Sequence, residues 1–276
     1  MNIAAPSRSI EPGTVTTESI RLELSAAQEY LLRIGDTCLI MAQRLAEWCG
    51  HAPIIEEDIA LSNMALDLVG QARAVLTRAG ELEGELGGTR HDEDQLAFLR
   101  DERDFRNCTL VELPRGDFAV TMLRNCAVAI FLELLWQRLE GSSDGELAAI
   151  AGKAVKEARY HREHAAGWVV RLGDGTEESA ARLKAALDLL WPYFAEIFEA
   201  DAIDAEADAA RLGPRWADLR DDWRAGFAAV LSAAGLSLPA ERAFRSTGKT
   251  GRHSEHLGYV LAEMQHLQRS FPGGVW

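Results

Sequence analysis

The residues Ile150, Ala154, Glu157, His161, His164 and Trp168 follow one another at intervals of four, three, four, three and four. That spacing predicts a single helix with all six on one face. A carboxylate and two imidazoles therefore occupy a seam that an amphipathic helix normally fills with apolar side chains. An ionised carboxylate on an inner face must be compensated. The two natural compensations are a metal ion and an internal salt bridge, and the choice between them governs what the chain can do. We expect the salt bridge, for the reasons below.

The same alternation recurs elsewhere. Leu31, Ile34, Cys38, Met41, Leu45 and Trp48 predict a long first helix closed by Gly50 and Pro53. Glu56, Glu57 and Asp58 enrich the first turn of a second, where acids complement the helix dipole. Gly80, Gly84, Gly87 and Gly88 are expected to end it in an acidic loop. The charge-rich stretch 92–113 is only weakly periodic and reads as short helix with a solvated face. Met122, Cys126, Ala129, Glu133, Trp136 and Glu140 mark a third long helix, and the 150–168 seam a fourth, ending at Gly173 and Gly175. Two more follow, on Leu183–Ile197 with Pro192 inside and on Trp216–Val230 after Pro214. A last carries Leu257, Val260, Met264, Leu267 and Phe271 on one side. No stretch alternates with period two, so six to seven helices and no strand define an all-α bundle.

With 47% hydrophobic residues, 276 residues can bury a large core. Residues 1–24 read as a disordered leader and 25–276 as one helical domain. A net charge of -14 argues against nucleic acid or an anionic membrane as the main partner. The four cysteines form no Cys-x-x-Cys pair and suit a reduced interior. The leader has no apolar segment of signal-peptide length, and no apolar run approaches the ~20 residues of a bilayer span. A cytoplasmic location is expected.

Four long helices match the count of a ferritin-like bundle, whose di-iron sites take one Glu from each of two helices and a Glu-x-x-His from each of the others. The first helix offers no carboxylate at mid-seam. In the second, Asp67 is followed at three by Gly70, which has no side chain. The third supplies Glu133. In the fourth, Glu157 is followed at three by Tyr160, with His161 one position late. Helical spacing of three or four puts either residue on the same face, but one displaced histidine and three carboxylates are a poor cage for two metals. The set Asp67, Glu133, Glu157 and His161 is instead expected to form a buried polar network with nearby basic groups. A self-sufficient di-metal oxygenase using those four residues is the alternative.

Two further signals stand outside the seam. "AFRSTGKT", residues 243–250, nearly spells a phosphate-binding loop but begins with Ala243 and follows no strand. Lys249, Arg252 and His253 could hold an anion or an acidic partner surface. "HSEH" at 253–256 has metal-ligand composition but not spacing. No Gly-x-Ser-x-Gly elbow is present. Trp136, Trp168, Trp216 and Trp223 fall on seams as core, while the terminal Trp276 is suited to a surface or partner.

Several longer strings belong together: "RIGDTCLIMAQRLAEWCGHAP", "ALDLVGQAR", "FLRDERDFRN", "KAVKEARYH" and "GKTGRHSEHLGYVLAEMQHLQR". From about residue 28 to the end the chain closely resembles the C subunits of bacterial phenylacetyl-CoA 1,2-epoxidases, of aerobic phenylacetate breakdown. The resemblance implies a ferritin-like, non-catalytic subunit that holds no cofactor itself and pairs with the catalytic A subunit. That partner would carry the di-iron centre and a separate reductase subunit the flavin and iron–sulfur groups. It further implies that Asp67, Gly70, Glu133, Glu157 and Tyr160 are remnants of metal positions, with Gly70 and Tyr160 where a metal-binding paralogue has His.

Overall fold

A computed structural model describes residues 19–241, 244–272 and 274. The described residues form ten α-helices and short 3₁₀ turns, and no strand. Residues 1–18 of the expected leader lie outside the described residues, as do Ala243 and Trp276. Residues 19–24 are extended, with the Ile20 N–H donating to Leu99 O at 3.0 Å and Ile20, Leu22 and Leu24 packed against the core.

Helix α1 (Ala26–Ala46) opens on a capping box in which Ser25 and Gln28 satisfy each other's backbone. It packs along α2 (Ile55–Glu85), and α4 (Phe118–Leu139) packs likewise along α5 (Gly145–Gly173). The two hairpins meet where α2 touches α5. Every seam residue expected of α1 is buried.

Four departures from expectation have identifiable causes. Helix α2 does not stop at Gly80; a Cβ there would stand 1.8 Å from the His91 carbonyl oxygen. Gly80 is therefore a close-approach glycine, letting the chain return across the helix, where Glu83 accepts from the His91 N–H at 3.2 Å. Gly80→Ala should destabilise the chain by roughly 1–3 kcal/mol, read as a lowered thermal midpoint. A melt indistinguishable from wild type would mean that this return is loosely held.

The charge-rich stretch 92–113 is only in part a solvated face: Asp92, Asp94, Asp101, Glu102 and Arg103 are exposed, but the rest is not. After the short α3 (Glu93–Phe98) it turns inward, and Arg100, Asn107 and Glu112 are fully buried. The Arg100 guanidinium pairs with Asp36 of α1 and donates to Asp104 O, so alternating charge here encodes internal pairing.

Helix α4, 22 residues with an 18-residue stretch of mean hydropathy 1.7, is long and apolar enough to cross a membrane. This corrects the expectation that no segment reaches that length. In the fold it is the central core helix, and its buried Arg124 donates to Leu113 O and Pro114 O at 2.6 and 3.1 Å. Burial, and then the like charge of Arg44, push the Arg124 pKa down to about 10.

The C-terminal third is more divided than its periodicity suggests. α6 (Glu177–Ile197) is followed by an unforeseen short helix α7 (Ala202–Ala209) and by α8 (Arg220–Ala233). The last helix is two, α9 (Glu255–Met264) and α10 (His266–Ser270). At the junction the Gln265 amide donates to Ala97 O and Arg100 O, and beyond it Leu267 and Phe271 are exposed instead of inward.

Candidate functional site

The centre of the site is a chain of hydrogen bonds through all four long helices. Gln71 of α2 donates from Nε2 to Glu157 Oε2 of α5 at 3.0 Å. Its Oε1 accepts from the Trp136 indole N–H of α4 at 3.2 Å and lies 3.8 Å from the Cys38 thiol of α1. Cys38 and Trp136 are fully buried and Gln71 nearly so. Burial, then the charge of Glu157, raises the Cys38 pKa well above the usual thiol range, so it stays a neutral thiol.

Along the α2–α5 seam, rising α2 numbers meet falling α5 numbers, so the helices are antiparallel and linked by polar rungs. Glu57 faces His164 at 2.9 Å, Asp67 faces His161 at 3.1 Å, Gln71 faces Glu157, and Arg78 faces Asp144 at 2.8 Å. The periods of three and four that predicted one face of α5 are what place Glu157, His161 and His164 on these rungs. His161 is buried; desolvation is the largest influence on it and lowers its pKa despite Asp67.

The expected network is thus three separate pairings. Glu157 and His161 do not bond each other: Glu157 has the Gln71 amide and, on its own helix, Lys153 at 3.5 Å. Glu133 is turned to the groove between α4, α5 and α8, 3.2 Å from Arg159 and 2.9 Å from Arg162. Salt bridging compensates Glu133, whereas neutral hydrogen bonding serves Glu157 across the bundle. Gly70 is exposed and would have nothing within 4 Å of a Cβ, and Tyr160 is 51% exposed. Those two positions look outward, so the positions taken as remnants do not converge. Among the described residues no three His, Cys, Asp or Glu side chains group as metal ligands. The central positions do not fit a di-iron pair: one offers an amide, one an indole N–H that can only donate, and one a neutral thiol.

Sequence reasoning missed Gln71 and the polar role of Trp136. The available signal was that Asp67 and Gln71 lie four apart, as do Glu157 and His161, which sets two matching rungs on antiparallel helices.

The loop residues are largely occupied from within. In the near-phosphate loop, the Lys249 N–H, at 2.8 Å, and the Ser246 hydroxyl donate to Glu196 of α6. The Thr109 N–H reaches the same carboxylate at 3.1 Å. A side-chain carboxylate therefore sits where such a loop would take a phosphate. Gly248 is needed because a Cβ would meet Asn107 O at 2.5 Å. Lys249 is buried, and its Nζ donates to Ile197 O and Glu199 O at the end of α6, favourable for a cation at a helix C-terminus. Of Lys249, Arg252 and His253, only Arg252 is exposed.

His253 lies between two acceptors, Glu112 Oε1 at 2.5 Å from Nδ1 and Phe105 O at 3.0 Å from Nε2. Two acceptors on opposite ring nitrogens favour the imidazolium, the form in which both nitrogens donate. Burial opposes this charge, but the bond to Glu112 and its negative charge prevail and the pKa is raised. A raised folded pKa gives stability that is fully present below the unfolded value of about 6.5 and is lost as pH rises through the folded value. His253→Gln should therefore flatten the fall in thermal midpoint above pH ~6.5. An identical alkaline slope in both proteins would refute the assignment.

Fold and site together define a helical-bundle protein whose central polar positions are closed on one another. A family described as "Phenylacetic acid catabolic protein" matches residues 10–276, and the chain belongs to that family. It is 49% identical over 247 residues to the C subunit of the 1,2-phenylacetyl-CoA epoxidase of Escherichia coli (strain K12), covering 90% of this chain and 98% of the relative. The resemblance carried by "ALDLVGQAR", "KAVKEARYH" and the other strings is borne out.

Proposed function

We propose that this chain is the structural, non-catalytic subunit of a phenylacetyl-CoA 1,2-epoxidase, a ferritin-like bundle that pairs with and stabilises a di-iron catalytic partner. The family and the E. coli relative support the membership of the complex. The observation that supports the structural role is the central chain Cys38–Gln71–Trp136–Glu157, in which side chains from four helices hydrogen-bond to one another through Gln71. A buried network satisfied in this way specifies packing and rigidity. Rigid packing beside an oxygenase bundle holds the partner's carboxylates in place.

The test is to purify the chain alone and with the di-iron partner, and to measure iron and epoxidation in each. Iron and activity should track the partner, and the pair should elute together in fixed stoichiometry. An isolated chain that retains an iron pair, or that epoxidises the thioester when supplied with oxygen and reductant, would overturn the proposal.

A further inference from the structure

Helix α2 carries a second seam that the fold does not use. Ile55, Ile59, Leu66 and Val69, at 72, 57, 68 and 39% exposure, lie on the side of α2 opposite the one packed on α1. Tyr160 of α5 extends the apolar surface from the neighbouring helix. Contiguous large aliphatics of this kind mark an interaction face.

Gly70 adds an independent sign. A glycine inside a helix costs about 1 kcal/mol relative to alanine, and here no neighbouring atom lies within 4 Å of where its Cβ would be. Its backbone is not left-handed either. Nothing within the chain requires it, whereas a partner backbone approaching Leu66 and Val69 would.

The charges around the face select the partner. Although the chain carries -14 overall, the exposed charges flanking Leu66, Val69 and Tyr160 are basic; Arg78, Arg159 and Arg162 are turned away to Asp144 and Glu133, and the acids Glu56 and Asp58 lie only at the Ile55 end of the seam. Lys153, Lys156 and Arg73 are exposed at this rim. A two-fold contact would place the same patch against itself and the basic rim of one copy against that of the other. The favoured occupant is a different polypeptide, with an apolar helix face flanked by carboxylates.

We infer that the α2–α5 face centred on Leu66, Val69, Gly70 and Tyr160 is the surface on which an acidic-rimmed helical partner seats. This inference rests on the pairing proposed above and assigns the di-iron partner to this face. The full-length chain would be titrated with that partner in its wild-type form and as Leu66→Asp, Lys156→Glu and Gly70→Leu, with Tyr259→Asp on the exposed face of α9 as control. Each of the first three should weaken binding about tenfold or more, and the control should not. Gly70→Leu is the decisive variant, because it should leave the thermal midpoint of the isolated chain unchanged or higher while obstructing close approach. Wild-type binding by all three would overturn the face and leave the pairing intact. If wild type itself forms no complex with the di-iron partner, the pairing fails, and this inference with it. Sedimentation showing a homodimer of the isolated chain that Leu66→Asp dissolves would make the occupant a second copy and overturn the assignment.

Discussion

Asp36→Ala should lower stability by about 3–5 kcal/mol, the range for removing one partner of a buried ion pair. Asp36 and Arg100 are both fully buried, and the carboxylate also accepts the Arg106 N–H at 2.8 Å. Removing it leaves a fully buried guanidinium without its counter-charge and an amide without its acceptor. For a chain of this size the thermal midpoint should fall on the order of 10 °C. The double variant Asp36→Leu/Arg100→Met should recover much of the loss, since replacing both partners with apolar groups removes the stranded charge. The single variant would melt like wild type only if Arg100 found another acceptor, and that outcome would sink the argument.

The loss should extend beyond α1, because the 99–113 segment is also the platform for the C-terminal helices. Arg100 O receives Gln265 and Arg269, and Glu112 receives His253 and both the N–H and hydroxyl of Ser254, the N-cap of α9. Asp36→Ala is therefore expected to loosen α9 as well, seen as faster amide exchange across Glu255–Met264.

This platform is also where the sequence was least legible. The long helices could be read because each repeats one face over several turns, as in Leu31 to Trp48 or Leu183 to Ile197. Segment 92–113 is built from single long-range pairs, Asp36 with Arg100, Thr109 with Glu196, Glu112 with His253, and no local period records a partner 64 to 141 residues away. Gly80 misled for a related reason: a glycine is the same letter whether it ends a helix or admits a crossing backbone. At the candidate site, spacing placed Glu157 and His161 correctly on an inward face. It could not say that the facing residue of α2 would be the neutral Gln71, because that depends on the register between two helices.

The second large effect is expected at that register. Gln71→Glu would set a carboxylate about 3 Å from Glu157, in a place where Trp136 and Cys38 offer no positive charge and the exposed Lys153 already pairs with Glu157 Oε1. Two carboxylates at such a distance cannot both ionise, and one would hold a proton to well above the ordinary range. At pH 8 the variant should lose on the order of 3 kcal/mol, and most of this should return near pH 5, where a shared proton restores a donor between the pair. Gln71→Glu/Glu157→Gln reverses the polarity of the same bond and should melt close to wild type at both values. Equal stability of the single variant at pH 5 and 8 would show that Glu157 is not the group opposite Gln71. Divalent manganese added to Gln71→Glu at pH 8 supplies a test of the central claim. If the bundle centre is a packing device, the ion should not restore the midpoint, since Trp136 and Cys38 still fill two of its four sides. Full restoration would mean that a single amide separates this chain from a metal-binding one, and the structural role would then need another explanation.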